Sequence, residues 1–239
     1  MSSQAKFKRV VLKLSGETLG NQGGSIFDPE ALKFLAASVK EVADLGVEVG
    51  IVGGGGNIVR GVTAGAMGLE RTAADQMGML ATVINGMAMR GALENAGLSA
   101  RLFSAVPVGA VAELYSPREA RRALAAGEVA IFAGGTGCPF VSTDTAALLR
   151  ACDIGAAAVL KATKVDGIYT ADPKKDPEAV KFKELTYVEA LARGLKIMDA
   201  AAFGVANENG VPILVFDFWA PHALVRAALG EEIGTLVHS

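Results

Sequence analysis

The chain has 239 residues, 51% of them hydrophobic, and 23 Lys and Arg against 25 Asp and Glu give a formal net charge of -2. That apolar content builds a substantial core without staples, and the near-neutral balance, with no block of Lys or Arg, offers no field for a nucleic-acid backbone. No uncharged apolar run reaches the roughly 18 residues needed to span a bilayer, and Cys138 and Cys152 form no CxxC pair, so with His222 and His238 as the only histidines there is little for a zinc site or a Cys-His dyad.

Along the chain, Lys6, Lys8 and Arg9 lead into Val10-Val11-Leu12 as a signal peptide would, but Lys13 interrupts the apolar run, and a cytoplasmic protein is expected. Lys8 to Leu14 reads as a first strand, closed by a turn at Ser15-Gly16-Glu17, with a polar loop from Thr18 to Phe27. Asp28-Pro29-Glu30 supplies an N-cap, a proline at the first helical position and an acidic first turn, and Leu32, Leu35, Val39 and Val42 make an apolar stripe that ends at Gly46. Glu48 to Val52 has the β-branched bias of a buried strand, and Gly53-Gly54-Gly55-Gly56-Asn57 then strips the side chains where the strand gives way to a segment that can start a helix. Main-chain N–H groups at such a bend bind phosphate, and Arg60 one turn later adds a charge. The alternative is a floppy linker, but a linker would be rich in Ser and lie between polar segments.

A long helix is expected from about Leu69 to Asn95, with Met77, Leu80, Ile84 and Met87 as core or interface packing and Gly78, Gly86 and Gly91 permitting close approach by another helix or subunit. Short strands at Ala100 to Phe103 and Val129 to Ala133 flank a helix opened by Ser116-Pro117, and a second glycine turn follows at Gly134-Gly135-Thr136-Gly137. Asp144 to Ile154 reads as helix, Ala157 to Lys161 as strand and Val165 to Val180 as a charged loop, with short helices around Ala190 and Ala202. Pro212 to Phe216 is a further strand, Ala220 to Leu229 a helix, and Thr235 to His238 a terminal edge strand. This alternation predicts an α/β protein, a three-layer α/β/α sandwich with a mainly parallel sheet of about eight strands, as a single domain over residues 1–239 with room for two lobes meeting at the strand carboxyl ends.

Ligands in such folds gather beyond the carboxyl ends of the strands, where Val10-Val11-Leu12-Lys13 and Val159-Leu160-Lys161 each end in a lysine. One such lysine commonly snorkels to the surface. Two converging on one cleft beside glycine turns suit a polyphosphate. The Gly-Lys dipeptide of a P-loop is absent, the glycines do not continue into GxGxxG, and neither HRD nor DFG occurs, so a phosphate-handling enzyme here belongs to another lineage.

Five runs, in order across essentially the whole chain, resemble the bacterial uridylate kinases of the amino acid kinase superfamily. They are Val11-Leu12-Lys13-Leu14-Ser15-Gly16-Glu17, the glycine run through Asn57-Ile58-Val59-Arg60-Gly61, Asp75-Gln76-Met77-Gly78-Met79-Leu80-Ala81-Thr82, the loop from Gly135 to Asp144, and Leu160-Lys161-Ala162-Thr163-Lys164-Val165-Asp166-Gly167 onward to Pro173. The last is superfamily-wide; the Asp75 run and the Thr-Gly-x-Pro-Phe loop select the uridylate member.

The resemblance implies transfer of the γ-phosphoryl group of ATP to UMP with Mg²⁺ present, in a cytoplasmic homohexamer, with GTP activating and UTP inhibiting many members. By that likeness Lys13, Leu14, Ser15, Gly16 and Gly56 lie along the ATP phosphates, Arg60 bridges towards the phosphates, and Thr163, Tyr169 and Asp172 line the adenosine side. Gly55, Asp75 and the loop Thr136, Gly137, Cys138, Pro139, Phe140, Val141, Ser142 and Thr143 hold UMP, and Asn21, Gln22, Gly23, Gly24, Ser25 and Ile26 form the segment linked with GTP activation. Physically, Lys13 and Lys161 can neutralise the moving group, and an ionised Asp75, an acceptor only, fits paired ribose hydroxyls. Asp144 and Asp199 are candidates for organising the lysines and the metal; each is equally placed to cap a helix, and Tyr169 to be a half-buried strand residue. Two departures stand out: Gly53 replaces a larger apolar residue, and Cys138 replaces a frequent Asn, which bears on contacts to uracil or ribose. Competing readings are a kinase for a carboxylate or carbamate, whose acceptor pocket would want arginines or amides, and a nucleotide-binding storage protein, against which Lys13, Lys161 and Asp199 argue.

Overall fold

The computed structural model describes residues 5–21, 23–59, 68–173, 175–195 and 197–239. Its strands are β1 (Arg9–Leu14), β2 (Glu48–Gly53), β3 (Ala100–Ser104), β4 (Glu113–Leu114), β5 (Val129–Ala133), β6 (Ala158–Thr163), β7 (Glu184–Thr186), β8 (Ile213–Asp217) and β9 (Thr235–His238). Among the described residues they form one sheet of nine, in the order β4-β3-β5-β2-β1-β6-β8-β9-β7, parallel throughout except between β8 and β9. The sequence pattern undercounts them because β4 and β7 are only two and three residues long, too short to show a period. It also misplaces β9, which lies between β8 and β7 and leaves β7 as the edge.

Helices cover both faces. On one pack α1 (Pro29–Ala43), α2 (Arg71–Asn95) and α7 (Ala223–Leu229), burying Leu35, Val39, Met89, Leu93 and Leu224. On the other pack α3 (Pro117–Ala125), α4 (Thr143–Ile154), α5 (Tyr187–Ala192) and α6 (Ala200–Asn209), around Leu124, Leu148, Tyr187 and Phe203. Asp28 caps α1 through the Glu30 N–H at 3.0 Å, with Pro29 at the first helical position.

In α2 the spacing-derived stripe turns outward. Met77, Leu80, Ile84 and Met87 are 39–49% exposed, while Met79, Val83, Met89 and Leu93 face the core. Both sets recur at helical spacing, and the sequence alone could not say which belongs inside. Gly86 does permit a close approach, to β3, since a Cβ there would lie 2.6 Å from Leu102 Cδ1; a Cβ at Gly78 or Gly91 would meet nothing within 4 Å among the described residues.

Candidate active site

Side chains alternate along a strand, so Val10, Leu12 and Leu14 face one core while Val11, and Lys13 two residues on, face the other. Val159 and Lys161 repeat this in β6, and the parallel register pairs Lys13 with Lys161 directly. The strand order turns here, with β2 on one side of β1 and β6 on the other, so both ammonium groups emerge at a switch point. Lys13 is only 7% exposed, and a charge so buried needs an anion. Asp144 in the first turn of α4 supplies it: Oδ1 lies 2.7 Å from Lys13 Nζ and Oδ2 2.8 Å from Lys161 Nζ. The Lys13 contact is an ion pair without hydrogen-bond alignment, which leaves Oδ1 with no directed hydrogen bond.

Burial pushes the Asp144 carboxyl up, but the charges of Lys13 and Lys161 outweigh it and hold the group below the ordinary carboxylate range. Lys161 is lowered by its own burial, opposed by Asp144 and aided by repulsion from Lys13. The two directions describe one situation: two ammonium groups share one carboxylate, and the cluster is a negative charge short.

The aspartates divide the expected roles. Ser142 caps α4, accepting from the Asp144 and Thr145 N–H groups at 3.0 and 3.4 Å, which frees the Asp144 carboxylate for the lysines. Asp199 is the helix cap instead. It accepts from the Ala202 N–H at 2.8 Å, from Thr145 Oγ1 at 2.8 Å and from Ser142 Oγ, tying α6 to α4. Of the two candidates it is Asp144, and not Asp199, that holds the lysines among the described ion pairs, although the charge of Asp199 reaches Lys161.

The glycine bend adjoins this cluster, since Leu14 pairs with Gly53 and the Gly54 N–H donates to the Leu14 carbonyl at 3.0 Å. Gly53 and Gly54 therefore finish the strand pairing, and only Gly55 and Gly56 remain where the bend turns outward. Gly55 packs on α2 so closely that a Cβ would lie 2.8 Å from the Gly78 carbonyl oxygen, whereas one at Gly56 would meet nothing within 4 Å among the described residues. Arg60 lies outside the described residues.

Gly55, Asp75, Thr136, Val141, Ser142 and Thr143 line a pocket of about 370 Å³ with Gly56. Asp75 already has partners there: Arg71 Nε at 2.8 and 2.9 Å from its two oxygens, and the Phe140 N–H at 2.8 Å. Burial would raise its carboxyl, and the bonds from Arg71 and Phe140 hold it low instead. Phe140, at φ 68°, occupies the left-handed region that bulky residues avoid, and its ring lies under the Arg71 guanidinium at 5.3 Å. Gly137, Cys138 and Pro139 carry the loop between; the Gly137 N–H bonds the Gly134 carbonyl, and the exposed Cys138 bonds Thr136 Oγ1 through its N–H at 3.1 Å.

Lys161, Thr163, Tyr169 and Asp172 line a second pocket, of about 740 Å³. The Thr163 hydroxyl lies 2.6 and 2.9 Å from the Val165 and Phe216 carbonyls, and Tyr169 donates to Asp166 at 2.8 Å. Ser15 caps a single 3-10 turn, Gly16–Thr18, beyond β1. Asn21, Gly24 and Ser25 line a third pocket, of about 300 Å³, with Lys164. Gly23 and the exposed Ile26 belong to the same loop, and Gln22 lies outside the described residues.

Sequence reasoning missed three groups. Thr82, buried in α2, donates to the Met79 carbonyl and accepts the Gly134 N–H at 2.7 Å, pinning the second glycine turn. Arg71 holds Asp75, and Asn85 bonds the Gly54 carbonyl at 2.7 Å. The one local signal was the i, i+4 spacing of Arg71 and Asp75; Thr82 and Asn85 are polar positions whose burial shows only once the core face of α2 is known. For a metal, the described residues gather no group of three or more His, Cys, Asp or Glu, and both Asp144 oxygens already face ammonium groups. Mg²⁺ at this cleft would take its oxygens mainly from phosphates and water.

Residues 8–217 match the profile of the amino acid kinase family, and the chain belongs to that family. The uridylate kinase of Shewanella sp. (strain ANA-3) is 52% identical over 239 residues, covering 99% of each chain. The crystal structure of UMP kinase from Bacillus anthracis superposes with a TM-score of 0.95 at 39% identity, covering 97% of this chain and 96% of that one, and UMP kinase from Ureaplasma parvum with 0.93 at 35%, covering 97% and 99%. Within its family the chain therefore groups with the uridylate kinases.

Proposed function

We propose that residues 1–239 form a single amino acid kinase domain that transfers the γ-phosphoryl group of MgATP to UMP, giving ADP and UDP for pyrimidine nucleotide synthesis. The observation that carries this is the Lys13–Asp144–Lys161 cluster, one negative charge short, between two pockets: Lys161 lines the larger, and Thr143, next to Asp144 in the chain, lines the smaller. ATP is assigned to the larger, beside Thr163, Tyr169 and Asp172, with its phosphates towards Lys13 to Gly16 and Gly56. UMP is assigned to the smaller, beside Gly55, Asp75 and the loop from Thr136 to Thr143.

The attacking oxygen belongs to a phosphate that is already anionic near neutral pH, so no general base is required. Asp144, kept ionised by the lysines, aims their charge rather than accepting a proton. Lys13 and Lys161 then meet the charge that spreads over the transferring group, while main-chain amides of the bend hold donor and acceptor phosphates in line. Mg²⁺ is supplied with ATP and shields its phosphates. The test is ADP release with UMP, CMP, N-acetylglutamate and carbamate offered separately, repeated with GTP and UTP as the expected effectors. UMP is expected to give the fastest release, and stimulation by none of the four would refute the kinase reading.

Asp75→Asn is expected to raise the KM for UMP about tenfold and leave that for ATP unchanged. For the ribose hydroxyls to reach it, the carboxylate must share or exchange the Arg71 and Phe140 bonds. An unchanged UMP KM would remove Asp75 from the acceptor site.

A cytoplasmic homohexamer completes the proposal. No helix among the described residues is long and apolar enough to cross a membrane, and the outward stripe of α2 is a contiguous apolar face of the kind that marks association. Leu80→Glu combined with Ile84→Glu is expected to reduce the light-scattering mass from six copies of the 24.5 kDa chain to a smaller species. An unchanged mass would rule this face out as a contact.

A further inference from the structure

Asn85 is 0% exposed and lies inside α2, yet both ends of its amide are used. Its Nδ2 donates to the Gly54 carbonyl at 2.7 Å and to Asn57 Oδ1 at 2.7 Å, and its Oδ1 accepts from Asn57 Nδ2 at 3.0 Å. Asn57 Nδ2 also donates to the Ile26 carbonyl at 2.9 Å. Gly16 closes on the same amide, since a Cβ there would lie 2.6 Å from Asn57 Oδ1. The turn after the Lys13 strand, the glycine bend and the chain at Ile26 thus meet at two asparagine side chains that have no role in the proposed chemistry. A buried amide is costly unless satisfied, so the arrangement is stable only while all three segments stay in place.

From this geometry we infer that Asn57 and Asn85 are positioning residues that fix the glycine bend and couple it to the 21–26 segment, so that displacement of that segment is felt at the phosphates. The inference rests on the kinase reading above. If Ile26 moves away, Asn57 loses one of its two acceptors and is held only by its paired bonds to Asn85, so the amide pair can shift together. A shift of the pair moves Asn85 Nδ2, and its hold on the Gly54 carbonyl beside Gly55 and Gly56 loosens. A displacement of about 1 Å at a reacting group costs on the order of 100-fold in rate.

The test uses the full chain and two substitutions: Asn57→Ala at a half-buried position, and Asn85→Leu, close in volume but without the amide. Each is expected to lower kcat on the order of 100-fold with a smaller change in the KM for UMP. The double variant is expected to be no worse than the poorer single one, because the pair acts as a unit. In the wild type an unreactive ATP analogue is expected to slow amide exchange in the segment from residue 19 to 27, and in Asn57→Ala that slowing is lost. Additive losses in the double variant, an analogue without effect on the wild-type segment, or slowing that persists in Asn57→Ala would each overturn the coupling. A wild type without UMP-dependent ADP release would instead refute the kinase reading, and the exchange measurements would still decide whether the amide pair links the two segments.

Discussion

Lys13→Ala is expected to lower kcat about 100- to 1000-fold while the dissociation constant for UMP moves less than about threefold. The asymmetry follows from where the ammonium lies. It is almost wholly buried and already paired with Asp144, so a bound ground-state phosphate gains little from it. Its value rises when charge spreads over the oxygens of the transferring group, in a site where water screens poorly. Lys13→Arg restores the charge without the compact geometry of an ammonium and is expected to recover only a small part of the rate. The pH profile offers an independent check. Burial, and the repulsion of Lys13, lower Lys161 from the ordinary lysine value of 10.5, so the rate falls as pH rises through that lowered value and the site loses a positive charge. Removing Lys13 removes a repulsion, so the alkaline limb is expected to move to higher pH in Lys13→Ala. Steady-state kinetics with UMP calorimetry measures all three quantities; equal losses in kcat and UMP binding would show that the role is wrong.

The parts legible in the sequence are those in which one short pattern has one physical outcome. Apolar runs leading into Lys13 and Lys161 near the ends of β1 and β6 marked where the cations emerge, and the glycine run marked where β2 must turn. The Lys13–Lys161 pairing itself is a tertiary fact, set by the register of β1 on β6. What escaped depended on choices between equivalent local patterns. Ser142 and Asp144 both make good N-caps, and only the lysines beneath α4 decide that Ser142 caps while Asp144 reaches down. Likewise α2 has apolar residues on two faces, and the sheet takes the one with Met89 and Leu93. Asn85 was invisible because an asparagine in a helix reads as surface until the glycine bend is seen packed against it.

Asp144→Asn is expected to have the second large effect, and its direction separates the proposed role from that of a catalytic base. The substitution keeps the shape but leaves Lys13 and Lys161 side by side without their counter-charge. Removing one partner from a buried charge cluster costs about 3 kcal/mol, which for a chain of this size is a drop of roughly 6–12 °C in Tm. In the wild type this contribution is present above the ordinary carboxyl value of 3.8 and is lost as pH falls through the lower folded value. The neutral amide of the variant has no such acid transition, so Asp144→Asn flattens the acid limb of the stability curve. A nucleotide phosphate supplies the missing negative charge, so an unreactive ATP analogue is expected to raise the Tm of the variant more than that of the wild type and to bind at least as tightly. The rate still falls, on the order of 100-fold, because two mutually repelling ammonium groups are no longer aimed at the transferring group. Thermal shift with and without the analogue, beside kcat, reads both halves. Weaker analogue binding in Asp144→Asn would mean that the carboxylate itself engages the substrate, and the lysine-positioning account would be abandoned.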